Sequence, residues 1–133
     1  MNHPHSELPP IAITRADMEK LIPLADNATG AFAQAGDVLA REIDRAQIID
    51  DCERRSGLVA MGSRVTFRDH GTGQVRTVTL VYPDEADVAQ GRISVLTPVG
   101  AALIGLSVGQ SIGWDTPGSG RRSLTVLAAD PVN

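Results

Sequence analysis

The sequence predicts an α+β protein: a short antiparallel helical hairpin followed by an antiparallel sheet that carries one helix. Three observations lead there. Apolar residues in the first half recur at three-four spacing, whereas in the second half they alternate between Gly/Pro clusters. One well-punctuated helix, opening at Thr97-Pro98, interrupts the β-rich half. Charge changes at the same place: residues 1–57 hold six basic and ten acidic side chains, and residues 58–133 hold six of each. The boundary is expected near Ser56-Gly57, giving a flexible tail over 1–10, a hairpin over 11–56 and a sheet module over 57–133.

The first helix should start after Thr14, which can cap it, with Met18, Leu21 and Ile22 as its stripe and Ala25 as a candidate extension of it. Pro23 is expected to end or kink it, leaving a loop from Leu24 to Gly30. The second helix is predicted over Phe32–Ile48. Phe32, Ala35, Leu39, Ile43 and Ala46 would be buried, and Asp37, Arg41, Asp44 and Arg45 solvated. Gly36 should weaken its first turns by about 1 kcal/mol relative to alanine. Such a hairpin would project about 12–25 Å, with Asp26 at its tip. Asp50 to Arg55 reads as a solvated connector.

In the second half, Leu58–Met61 and Arg64–Asp69 are expected to form one strand with a bulge near Gly62-Ser63. His70-Gly71-Thr72-Gly73 is a hairpin turn, and Gln74–Tyr82 is a long strand ended by Pro83. Asp84 to Gly91 is an acidic surface loop, followed by a strand over Ile93–Leu96. Thr97 caps the next helix and Pro98 occupies its first position. Val99, Ala102 and Leu103 face inward, and Gly105 takes the left-handed terminus. Strands over Gln110–Asp115 and Arg121–Leu127 flank a turn from Thr116 to Gly120.

Composition narrows function. The 133 residues are 42% apolar and include only four aromatics, Phe32, Phe67, Tyr82 and Trp114, so the core is aliphatic and no base-stacking platform is available. A net charge of −4 argues against phosphate-backbone binding, so no nucleic-acid partner is expected. No membrane span or signal segment is visible and Cys52 is the sole cysteine, which together indicate a cytoplasmic protein, expected to be a monomer.

No catalytic constellation emerges. His3, His5 and His70 lie in the tail and a turn, so no metal or other cofactor is expected. Cys52 has Arg54 and Arg55 nearby but no neighbouring histidine, and reads as an incidental thiol. The Gly100-to-Gly105 spacing lacks the Lys-Ser/Thr end of a phosphate loop. Asp84, Glu85 and Asp87 read as a solvated loop.

Four motifs in order resemble the regulator of nucleoside diphosphate kinase (Rnk) family. They are Glu42-Ile43-Asp44-Arg45-Ala46-Gln47, Met61-Gly62-Ser63-Arg64-Val65, Thr79-Leu80-Val81-Tyr82-Pro83 and Pro98-Val99-Gly100-Ala101-Ala102-Leu103. The run Thr97 to Gly109 is also similar to the C-terminal module of the Gre transcript-cleavage factors. The resemblance implies an FKBP-like C-terminal domain behind a short coiled coil. It also implies a non-enzymatic regulator that docks at the rim of the RNA polymerase secondary channel and competes with Gre-type factors. Thr97, Pro98, Val99 and Gly100 would contact the polymerase, with Thr97 standing where Gre factors carry serine. Asp26 would be the arm-tip residue, where Gre factors carry an acidic pair. Any effect on nucleoside diphosphate kinase would then be indirect, through transcription. The alternatives are an active transcript-cleavage factor and an FKBP-type prolyl isomerase.

Overall fold

A computed structural model describes residues 8–51, 57–116 and 120–131. His3, His5, Cys52, Arg54, Arg55 and the centre of the Thr116–Gly120 turn lie outside the described residues. Thr14 does cap the first helix: its side chain accepts from the Asp17 N–H at 3.2 Å. The helix, α1 (Arg15–Asp26), continues through Pro23 instead of ending there. Pro23 and Glu19, whose carbonyl loses its usual partner, are both exposed, so water can serve that carbonyl. Leu24 and Ala25 pack against the core beyond the proline, which offsets the strain.

After a Gly30–Phe32 3-10 turn, α2 (Ala33–Arg45) runs back, ending three residues short of its predicted end. Gly36 has a packing reason: a Cβ there would stand 2.4 Å from the Ala28 Cβ, so its absence lets the loop approach the helix. The residues that follow form a strand instead of more helix. β2 (Gln47–Ile49) pairs in parallel with β1 (Ala12–Thr14), in the register Ile13 with Ile48. These two short strands clasp the hairpin at its base.

The main sheet has five strands, β3 (Ser63–Asp69), β4 (Val75–Val81), β5 (Arg92–Ser94), β6 (Ser111–Thr116) and β7 (Gly120–Pro131), in the order β5-β4-β3-β7-β6. All pairs are antiparallel except β4–β5, which is parallel. Leu58–Met61 is not part of β3; Leu58 makes an isolated bridge to Ser107. The sheet's irregularity lies between Thr66 and Phe67 opposite β7, not at Gly62-Ser63. The acidic stretch after β4 forms two 3-10 turns, Pro83–Glu85 and Val88–Gln90. Helix α3 (Pro98–Leu103) lies between β5 and β6 in sequence and ends as predicted, with Gly105 at a φ of +84°.

The hairpin does not project freely. Met18 and Leu21 of α1 and Leu39 of α2 share one hydrophobic cluster with Phe67, Val78, Leu80, Leu103 and Val126. Helix α2 packs on both α1 and α3. Inside this packing Glu42 is buried and held by Arg45, with a 2.6 Å contact from Nη2 to Oε1. Arg45 also donates to the Pro9 carbonyl, which fixes the start of the described chain against the hairpin.

Candidate interaction groove

The start of α3 is built from short-range hydrogen bonds. Thr97 is extended, and its Oγ1 donates to the Ser94 carbonyl at 2.7 Å while accepting the Gly100 N–H at 3.0 Å. The Ser94 hydroxyl in turn accepts the Leu96 N–H at 2.9 Å. Pro98, with its φ preset for a helix, needs no donor partner at the first position. The result is a rigid corner on which Pro98 is exposed and Val99 half-buried, while Gly100 is buried. Of the four residues singled out in the sequence, Pro98 and Val99 therefore offer surface, and Thr97 and Gly100 hold the corner's shape.

Beside that corner, on the helix-bearing face of the sheet, lies a groove of about 500 Å³. Its apolar walls include Phe32, Phe67, Val88, Ile93, Pro98 and Val99. The ionisable side chains lining it are Arg76, Arg92 and Arg122, with no carboxylate among them. Arg122 is engaged: it contacts Asp69 at 2.9 Å and lies 5.5 Å from the centre of the Trp114 ring. That guanidinium, together with the Gly71 N–H, holds the Asp69 carboxyl below its ordinary value of 3.8.

The sequence reading missed three of these residues as site residues. Phe32 was expected on the buried stripe of the second helix, yet it is 52% exposed and borders the groove. A three-four stripe does not reveal which of its end residues outruns the core. Arg76 shares a strand face with inward-facing Val78 and Leu80, and an arginine at the end of an inward-facing row was the available signal. Arg92 carried none. Asp26 stands apart from the groove residues: it is the exposed last residue of α1, at the hairpin turn. Among the described residues, no three His, Cys, Asp or Glu side chains come together as a metal site. Nor is any described helix long and apolar enough to cross a membrane.

The Lys20 ammonium lies 5.7 Å from the centre of the Tyr82 ring. Burial, with the Asp17 and Glu85 carboxylates adding to it, pushes its hydroxyl up to about 12. It is the chain's sole tyrosine, so an absorbance titration at the phenolate band should show no ordinary step near pH 10 in the folded protein. The neutral form is the one the fold favours. Its stabilising contribution is complete below pH 10 and is lost as pH rises toward the folded-state value. A normal titration in the folded protein would contradict this placement.

Comparison with known proteins agrees with this architecture. The profile "Transcription elongation factor, GreA/GreB, C-term" matches residues 54–131, and "Rnk N-terminus" matches residues 9–49. The chain is 42% identical over 119 residues to the regulator of nucleoside diphosphate kinase of Escherichia coli K12, covering 90% of this chain and 88% of that one. It belongs to the GreA/GreB family, as a member with the Rnk N-terminus. Its similarity to GreA of Sinorhizobium medicae is 37% identity over 74% of this chain but only 60% of GreA. Among solved structures, a GreA/GreB transcription elongation factor from Nitrosomonas europaea superposes with a TM-score of 0.70 at 34% identity, over 92% of this chain and 98% of that one. The α3 corner and the groove residues from Phe67 to Arg122 thus lie within the segment that matches the GreA/GreB C-terminal profile, whereas Phe32 lies within the segment that matches the Rnk N-terminus.

Proposed function

We propose that this Rnk-type protein is a non-enzymatic regulator that docks on RNA polymerase at the rim of the secondary channel and competes there with Gre-type factors. The observation that carries this reading is the rigid Thr97–Gly100 corner inside the GreA/GreB-matching module, with an apolar groove beside it. Pro98 and Val99 make the contact, and Thr97 and Gly100 keep them in place. Residues 57–133 act as the docking module, and residues 11–56 form the short hairpin that accompanies it. Asp26 is the sole carboxylate between the end of α1 and the start of α2. A single tip carboxylate offers fewer oxygen ligands for a magnesium ion than the acidic pair that Gre factors carry there. Docking therefore blocks the channel entrance without stimulating transcript cleavage, and any change in nucleoside diphosphate kinase level follows from transcription.

The test is a titration into core RNA polymerase with and without a competing Gre factor. Saturable binding that the Gre factor displaces is expected. The double variant Pro98→Glu with Val99→Glu should bind at least about tenfold more weakly, since an exposed and a half-buried contact residue then carry unmatched charge. A folded double variant with unchanged affinity would overturn the docking assignment.

A further inference from the structure

We propose that the helical hairpin supplies one wall of the docking surface: Phe32 closes the groove opposite the α3 corner, and the groove takes a polymerase segment bearing an apolar side chain flanked by carboxylates. This inference rests on the polymerase-docking reading and adds the hairpin residue and the partner's chemistry to it.

Phe32 ends the 3-10 turn that leads into α2, and α2 packs directly on α3. The distance between Phe32 and Val99 is therefore set by one helix-on-helix contact and not by a flexible linker. An aromatic ring left 52% exposed beside Val88, itself 80% exposed, extends the apolar surface of Pro98 and Val99 across the groove. Contiguous exposed apolar surface of this kind marks interaction sites, and large rigid aromatics supply their strongest anchors.

Charge selects the occupant. The chain carries a net charge of −4, yet the groove's ionisable lining is three arginines. Arg122 is matched to Asp69, whereas Arg76 and Arg92 form no ion pair among the described residues. Guanidinium groups pair with carboxylates through two parallel hydrogen bonds, so an acidic partner segment fits and a basic one is repelled. Both halves of the chain then grip the same segment. Docking would hold the hairpin against the sheet instead of freeing it to reach inward.

The experiment compares polymerase affinity for the wild-type chain, Phe32→Ala, the double variant Arg76→Ala with Arg92→Ala, and Ile22→Ala as an exposed hairpin control away from the groove. Phe32→Ala should weaken binding about tenfold or more, and Ile22→Ala should leave it within twofold. The double arginine variant should bind more weakly at low salt and show a shallower salt dependence. Phe32→Ala with wild-type affinity, while Pro98→Glu/Val99→Glu fails to bind, would overturn the hairpin's role and leave the docking reading standing. Equal losses from Phe32→Ala and Ile22→Ala would also overturn it, because the effect would then belong to the hairpin generally. Failure of the wild-type chain to bind at micromolar concentration would instead overturn the docking reading beneath it. Circular dichroism confirms that each variant keeps its fold.

Discussion

Gly100→Ala is expected to destabilise the protein by about 3 kcal/mol, although it adds a single methyl group at a helix. A Cβ at this position would stand 2.1 Å from the Ser94 carbonyl oxygen and 2.9 Å from both the Ser94 carbonyl carbon and the Thr97 Oγ1. The obstacle is backbone, and it is pinned. Ser94 belongs to β5, which pairs with β4, and its carbonyl accepts the Thr97 hydroxyl. Relieving the clash means moving α3 away from β5, which would break the bond from the Thr97 hydroxyl to the Ser94 carbonyl as well. Helix propensity alone argues the other way, since alanine is better than glycine in a helix by about 1 kcal/mol. The sign of the measured effect therefore separates the two. Urea unfolding of Gly100→Ala should show a large drop in midpoint; a stabilised variant would mean that the close approach is not present.

The same corner shows how much the sequence revealed. Thr97, Pro98 and Gly105 were legible because caps, first-turn prolines and left-handed termini act within a few residues of one another. The His70–Gly73 turn between β3 and β4 was legible for the same reason. What failed to show was non-local. Pairing of Ala12–Thr14 with Gln47–Ile49 joins segments separated by two helices, and three-residue strands carry too little alternation to be recognised. Helix α1 passing through Pro23 depends on Leu24 and Ala25 finding the core, which no local rule encodes. The candidate site divides likewise. Its Pro98-Val99 edge came from a contiguous motif, whereas Phe32, Arg76 and Arg92 come from three separate elements and meet only in the fold.

Leu39→Ala is expected to lower stability by about 3 kcal/mol and to do so for the whole protein. Leu39 lies in the middle of α2 with no exposed surface, in the same cluster as Phe67 and Leu103. Removing its side chain leaves a cavity where α2 meets the rest of the core, and the surrounding helices can close it only in part. A freely projecting arm would respond differently: its own helicity would fall while the sheet kept its stability. Trp114, the sole tryptophan, sits on β6, belongs to the shared cluster and lines a pocket with Val38 and Glu42 of α2, so its fluorescence reports the sheet where it meets the hairpin. The unfolding midpoints by tryptophan fluorescence and by helical circular dichroism should shift together. A shift in the circular dichroism midpoint alone would mean that the hairpin folds as a separate unit. The groove shared by Phe32 and Val99 would then lack the fixed geometry that lets both halves hold one partner segment.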